Sequence, residues 1–374
     1  GTADLFTAIE KVGEEVIRHL GNTVRIHPRD AFLPWLGKQG GRTLLVDPER
    51  AVVAIFEALE TAGARVIETR DPAVLPKAIK NAIEIAGHKA AQLRDGAALT
   101  RFLHWLSVEA PKGGLDELTA SDRLHEFRRA TGMLQDLSFD TISGAGPNGA
   151  IVHYRASPET NRSLVPGSLY LVDSGGQYRD GTTDVTRTVA IGTPTHEMRV
   201  RFTQVLKGHI GIARAIFPRG TRGAQLDVLA RMHLWASGVD YAHGTGHGVG
   251  AYLSVHEGPQ RIATSTAPDE PLQPGMIISN EPGYYKAGEF GIRIENLVLV
   301  EPRAIPGAER DMLGFETLTF APIDRALIDA NLLDEAELQW INGYHNDVLQ
   351  KIGPQLDAEA RAWLELACWP IERE

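Results

Sequence analysis

The order of elements predicts an α+β fold made of two similar halves. Two stretches with helical periodicity precede a run of period-two strands, and the same order then repeats. The strands come in runs, not singly between helices as a parallel sheet requires. The bulk composition suits a globular chain: of 374 residues, 43% are hydrophobic and 23% charged.

Residues 1–75 read as a small α/β piece. Strands are expected at Thr23–Ile26, Thr43–Val46 and Arg65–Thr69, with a helix over Ala51–Gly63 closed by its glycine. The piece is too small for a complete sheet domain and reads as the end of a partial N-terminal one. Asp71-Pro72 marks its boundary. A long helix is then predicted from Pro76, with Ile79, Ile83, Ala86, Ala90, Leu93 and Ala97 as its apolar stripe. A second helix runs near Ala120–Ala130, and strands follow at Ile151–Tyr154, Ser168–Asp173 and Asp184–Val189. Helices return near 195–216 and 223–236, and strands near 276–281, 291–301 and 315–321. Residues 326–374 form a helical extension. Its Leu, Ile and Trp side chains (Trp340, Trp363, Trp369) need cover from the body or from a second subunit, so a homodimer is one expectation. The expected division is therefore 1–75, 76–325 and 326–374.

Charge and composition exclude several classes. The net charge of −10 and the lack of a Lys/Arg block argue against nucleic acid as a partner. No apolar run reaches the ~20 residues of a membrane-spanning helix. Glu10, Lys11, Glu14, Glu15 and Arg18 break any signal-peptide core in residues 1–20. Cys368 is the only cysteine, so no intrachain disulfide can form, which suits a reducing cytoplasm.

Four segments carry the chemistry. Asp173 ends an apolar strand and Asp184 opens the next, with Gly175, Gly176 and Gly181 available for the turn. An antiparallel return brings the two carboxylates onto one face, where they repel unless a cation joins them. The run His243-Gly244-Thr245-Gly246-His247-Gly248-Val249-Gly250, followed by His256, is too rich in glycine for a helix. It reads as a tight path carrying imidazoles to one place. Glu281 ends a third apolar strand before Pro282. In Gly291–Val298, alternation puts Arg293 and Glu295 on one face. Singly, each acid could be a turn residue or an ion-pair partner: Asp184 of Arg187, Glu295 of Arg293. Together, four carboxylates and an imidazole suit two divalent cations about 3.5–4 Å apart. The oxygen-rich set favours manganese or a similar borderline metal, with zinc or cobalt as alternatives.

Other motifs are weaker. Gly144–Gly149 matches G-x-G-x-x-G, but it is expected to lead into the strand Ala150–Tyr154, so no helix N-terminus awaits a pyrophosphate. Cys368 lies in an apolar tail and reads as a buried, inert thiol.

Over residues 76–325 these segments resemble the pita-bread metallopeptidases, specifically the X-Pro aminopeptidases of the large cytosolic type. Ser143–Gly149, His243–Gly250, Gly291–Leu297 and the tail around Trp340–His345 carry the likeness. The resemblance implies a pseudo-two-fold fold with Asp173 on one metal, His247 and Glu281 on the other, and Asp184 and Glu295 bridging. It implies that His153, His243 and His256 act as catalytic and substrate-binding histidines, with Tyr285 and Arg293 in support. The implied reaction releases the first residue of a peptide whose second residue is proline, by attack of a metal-activated hydroxide. Glu281 would then shuttle the proton, and His243 or His256 would stabilise the oxyanion. Alternatives are a prolidase cutting X-Pro dipeptides, a methionine aminopeptidase, and a pita-bread binding module without catalysis.

Overall fold

The computed structural model describes residues 2–265 and 270–373. The chain divides into two compact units, residues 1–74 and 75–374. Among the described residues, no helix is long and apolar enough to cross a membrane.

The first unit holds two parallel strand pairs. Ala3–Thr7 lies beside Val24–Pro28, and Thr43–Val46 beside Arg65–Glu68. Its helices are Glu14–Leu20, Phe32–Leu36 and Val53–Thr61. The strand Ala3–Thr7 and the first two helices were not expected from periodicity.

The second unit repeats the order of helix pair and antiparallel strands. Helices Ala82–Glu109 and Glu117–Arg129 precede a three-stranded sheet in which Ser168–Ser174 lies between Ile142–Ala145 and Val185–Ile191. Helices His196–Ala213 and Gly223–Trp235 precede a four-stranded sheet of Ile216–Pro218, Met312–Thr317, Asn296–Arg303 and Ile277–Asn280, in that spatial order. The expected strand over 291–301 is two strands, Phe290–Arg293 and Asn296–Arg303, with Ile294 and Glu295 between them. The tail forms helices Glu335–Ile352 and Ala358–Ala367. Ile341, Val348, Ile352 and Leu364 join the core around Phe202, Leu206 and Ile210, with Trp340 and Trp363 packed against it. Trp369 remains 63% exposed.

Two expectations fail for physical reasons. The long helix starts at Ala82, not near Pro76, because Asn81 caps it: its Oδ1 accepts from the N–H of Ile83 and Glu84. The expected stripe is buried only towards its end, where Ala97 joins the core and Leu93 packs against it. Ile83 is 84% exposed, while His88, Gln92, Asp95, Leu99, Phe102 and Leu106 are buried. Gln92 and Asp95 are buried with partners, whereas neither ring nitrogen of His88 has one among the described residues. Gln92 accepts from the Thr319 hydroxyl (3.1 Å) and donates to the Thr182 carbonyl (3.2 Å). The second failure is the strand Ile151–Tyr154, which is absent. Gly146–Ala150 forms a 3-10 turn, and the chain goes on through a bend at Ile151 and a turn at Val152-His153. The polar groups of Asn148 and Tyr154 bond inward to Glu117, so the segment folds around that carboxylate and joins no ladder.

Candidate metal centre

The first half delivers two acids. Ser168–Ser174 pairs antiparallel with Val185–Ile191, and Asp173 lies opposite Thr186. Alternation then puts Asp184, two residues before Thr186, on the face that Asp173 occupies. Both acids are buried, 8% and 3% exposed. Arg187 does not pair with Asp184. Its guanidinium donates to the carbonyls of Thr186 (2.8 Å), Glu295 (2.7 Å) and Ala321 (2.9 Å) and to Tyr344 Oη (2.8 Å).

The second half brings the remaining groups. The Glu295 N–H donates to the Thr186 carbonyl (3.2 Å), and Thr186 Oγ1 donates to Glu295 Oε2 (2.7 Å). Arg293 Nη2 donates to Asp173 Oδ2 at 2.6 Å, so Arg293 pairs with Asp173. Gly246-His247 pairs with Arg261-Ile262. The backbone runs so close to its neighbours that a Cβ on Gly246 would lie 2.0 Å from the Ser279 carbonyl oxygen, and one on Gly248 2.1 Å from that of Glu257. That crowding explains the glycines flanking His247. Glu281 is fixed by its N–H to the Thr245 carbonyl (2.8 Å) and by Ser279 Oγ donating to Oε1 (3.1 Å).

Ligand atoms of Asp184, His247 and Glu295 all lie within 4.8 Å of one another. Asp173 and Glu281 line the same cavity, of about 610 Å³, together with His153, His243, His256 and Arg293. His247 Nε2 is 3.3 Å from Asp184 Oδ2 and 3.5 Å from Glu281 Oε1. His247 Nδ1 faces the Gly248 carbonyl at 3.0 Å, which can only accept, so Nδ1 carries the hydrogen. In a neutral ring the Nε2 lone pair then points at two carboxylates. That arrangement needs a proton or a cation between them. Asp173 Oδ1 and Asp184 Oδ1 are moreover buried without a hydrogen-bond partner among the described residues. Orphaned carboxylate oxygens beside an imidazole lone pair fit a divalent metal.

The electrostatics agree. Burial, followed by the charges of Asp173 and Glu281, pushes Asp184 up to about 7 against the pull of His247. Burial and the neighbouring acids also raise Glu295, strongly, and Glu281. Burial opposes a charge on His247, but the Asp184 hydrogen bond and the Glu281 charge outweigh it and raise it to about 9. Four carboxylates therefore cannot all ionise here without added positive charge.

This gives a prediction with a definite sign. In metal-free protein Asp184 is held above the ordinary value of about 4, and His247 above about 6.5. The fold then holds extra protons that the unfolded chain lacks. Their stabilisation is complete below the unfolded values and is lost as pH rises through about 7 and about 9. Metal replaces those protons. The difference in Tm between metal-loaded and chelator-treated protein should widen from pH 5 to 8, read by differential scanning fluorimetry. A difference that narrows over that range would contradict the assignment.

The histidines differ in setting. His243 Nδ1 faces the Gly244 carbonyl (2.7 Å), so its Nε2 accepts from Tyr285 Oη (2.8 Å). Tyr285 Oη in turn accepts from Arg293 Nη1 (2.5 Å). Burial and the Arg293 charge hold His243 down to about 4, and burial and the His247 charge hold His256 at about 4. His256 packs edge-on to His247 with ring centroids 4.2 Å apart. His153 stands exposed on the rim, near enough to oppose protonation of both.

Sequence reasoning missed the groups that hold these rings. Arg231 Nη2 donates to the His243 carbonyl (2.7 Å) and Nε to Asp227 (2.6 Å), while Thr245 Oγ1 donates to Asp227 (2.5 Å). The i, i+4 spacing of Asp227 and Arg231 was the available signal. Thr186, Phe139, Val152, Arg155 and Arg261 also face or line the site unpredicted.

Comparison with known proteins shows the family. Residues 86–302 match metallopeptidase family M24, 311–371 match the C-terminal region of that peptidase family, and 1–84 match a creatinase/prolidase N-terminal domain. A probable Xaa-Pro aminopeptidase P of Aspergillus flavus is 43% identical over 390 aligned residues, covering 100% of this chain and 59% of the relative. Aminopeptidase P2 of Arabidopsis thaliana is 43% identical, covering 97% of this chain and 56% of the relative. Among solved structures, the X-prolyl aminopeptidase of Caenorhabditis elegans, described as a cytosolic enzyme with a di-nuclear active site, superposes with a TM-score of 0.91. It is 36% identical and covers 98% of this chain and 62% of its own. An Xaa-Pro dipeptidase of Bacillus anthracis gives a TM-score of 0.69 at 25% identity, covering 86% of this chain and 84% of its own. The chain spans 59–63% of the length of the first curated relatives it matches.

Proposed function

Because the chain belongs to metallopeptidase family M24, whose model matches residues 86–302, we propose that it is a metal-dependent aminopeptidase releasing the first residue from peptides with proline in second position. The observation that carries this reading is the pair of orphaned oxygens, Asp173 Oδ1 and Asp184 Oδ1, in a cavity shared with His247, Glu281 and Glu295. Xaa-Pro aminopeptidase relatives that align over 98–100% of this chain support the substrate class.

In this reading Asp173, Asp184, His247, Glu281 and Glu295 hold two divalent cations, manganese by the hardness of the donor set. When bound, the cations supply Lewis acidity at the scissile carbonyl and lower the pKa of a water towards neutrality. The chain's own residues do the rest. Glu281, whose carboxylate lines the cavity, takes up and passes the proton to the leaving proline nitrogen. His256, held neutral, faces the cavity as a hydrogen-bond partner for the carbonyl as charge develops on it, while His243, its two ring nitrogens taken by the Gly244 carbonyl and Tyr285 Oη, lines the cavity beside it. Arg293 offsets part of the acidic charge and, with Tyr285, orients His243. His153 meets the substrate at the rim. A single buried Cys368 suits the cytoplasm as compartment.

The test is release of the first residue from a longer X-Pro peptide with manganese added, against the same assay with chelator. Hydrolysis with manganese and none with chelator is expected. Faster cleavage of X-Pro dipeptides would replace the reading with a prolidase, and preference for Met-Ala peptides with a methionine aminopeptidase. Metal uptake without any hydrolysis would leave a binding module.

A further inference from the structure

We propose that Glu117 is the positioning residue for His153, acting through the segment of residues 146–162; the catalytic half of this claim rests on the function proposed above. Glu117 is fully buried and opens the helix Glu117–Arg129, directly after its cap Asp116. A carboxylate there is favoured by the N-terminal end of the helix dipole. Its oxygens accept from four donors: the Ala145 N–H (2.7 Å), Asn148 Nδ2 (2.9 Å), Tyr154 Oη (2.8 Å) and the Arg162 N–H (3.0 Å). Its own N–H donates to the Arg162 carbonyl (3.0 Å), and its carbonyl accepts from Ser143 Oγ (2.7 Å). One residue thus ties the end of the Ile142–Ala145 strand, the 3-10 turn, the rim and the returning chain at a single point.

His153 depends on that knot. Its side chain is exposed, and among the described residues its ring makes no hydrogen bond, so its place over the cavity is set by its backbone. The neighbouring anchor is Tyr154, 5% exposed, whose hydroxyl reaches Glu117. Glu117 lies outside the cavity lining and outside the acidic cluster, so it has no direct part in the chemistry. Four donors and no acceptor face its two oxygens. A carboxylate satisfies them. A carboxamide cannot, because its NH₂ must face a donor, and two of the four are backbone N–H groups that cannot turn.

Two measurements on the intact chain test this. In Glu117→Gln, amides of residues 150–156 should exchange with deuterium at least about tenfold faster, with exchange in Ser168–Ser174 and manganese stoichiometry unchanged. This arm does not depend on peptidase activity. In the X-Pro peptide assay, Glu117→Gln should lower kcat by about 10- to 100-fold with KM little changed. In a His153→Ala background the same change should cost less than about twofold, since its effect passes through that ring. Tyr154→Phe keeps the carboxylate and removes one donor, and should show the same coupling at smaller size should Glu117→Gln not fold. Unchanged exchange at 150–156, or equal losses of kcat with and without His153, would overturn the proposal. A wild-type chain that takes up metal but hydrolyses nothing would sink the proposed function instead, and the exchange result would still decide the role of Glu117.

Discussion

Replacing Asp184 with asparagine is expected to abolish manganese uptake and to lower turnover on the order of 10³-fold or more, since losing even one transition-state donor costs about 10²–10³-fold. The same variant should melt at a higher temperature than the wild type when both are metal-free at pH 8. Asp184 is 3% exposed, faces the charges of Asp173 and Glu281, and leaves Oδ1 without a partner. An asparagine of the same shape removes that repulsion. Opposite changes in activity and stability mark a residue kept for binding a cation. Isothermal titration with manganese and thermal melts in chelator check both halves. A variant that lost stability as well would show that Asp184 serves the fold.

How far this site was legible depends on what each residue does to the pattern around it. Asp173 and Glu281 end apolar strands, Asp184 opens one and Glu295 sits between two, so each interrupts a signal that periodicity detects. The glycines around His247 stood out because no helix tolerates them, and the close approach of Gly246 to Ser279 supplies their reason. The halves were readable because helix pairs and strand runs differ in period. Polar residues on the long helix were not. The structure buries His88, Gln92 and Asp95, which the apolar stripe leaves out, and exposes Ile83, which the stripe includes. Periodicity scores apolarity and is blind to pairing. Whether Asp95 can be buried depends on Arg128, 33 residues away, and on Tyr178, 83 residues away.

The same blindness hid Glu117. It precedes the second helix as expected from its start near Ala120, and there an acid reads as a first-turn residue serving the dipole. Its partners Ala145, Asn148, Tyr154 and Arg162 are 28 to 45 residues away and include two backbone groups, which leave no mark on side-chain pattern. Without those bonds in view, Ile151–Tyr154 looks like an alternating strand. Buried polar knots that satisfy backbone groups are therefore the part of this fold that one sequence conceals, and they stand behind the imidazoles of His153 and, through Asp227 and Arg231, His243.

The Asp95–Arg128 pair should show how much such a knot contributes to stability. Arg128 Nε and Nη2 meet the two Asp95 oxygens at 2.8 and 2.9 Å, and Tyr178 Oη donates to Asp95 Oδ1 at 2.7 Å. Arg128 is fully buried and Asp95 is 2% exposed. Asp95→Leu leaves a guanidinium in the core with no counter-charge, and is expected to destabilise the chain by about 3–5 kcal/mol. Arg128→Met alone strands the carboxylate and should cost a similar amount. Asp95→Leu combined with Arg128→Met removes both charges and keeps volume, and should recover most of the loss. Urea unfolding of the three variants, with m-values compared, decides it. If the double variant is as unstable as the sum of the singles, the two side chains act independently and the coupling across Asp95–Arg128 is refuted. Recovery in the double variant would show that each single change loses stability by stranding the other charge between helices Ala82–Glu109 and Glu117–Arg129.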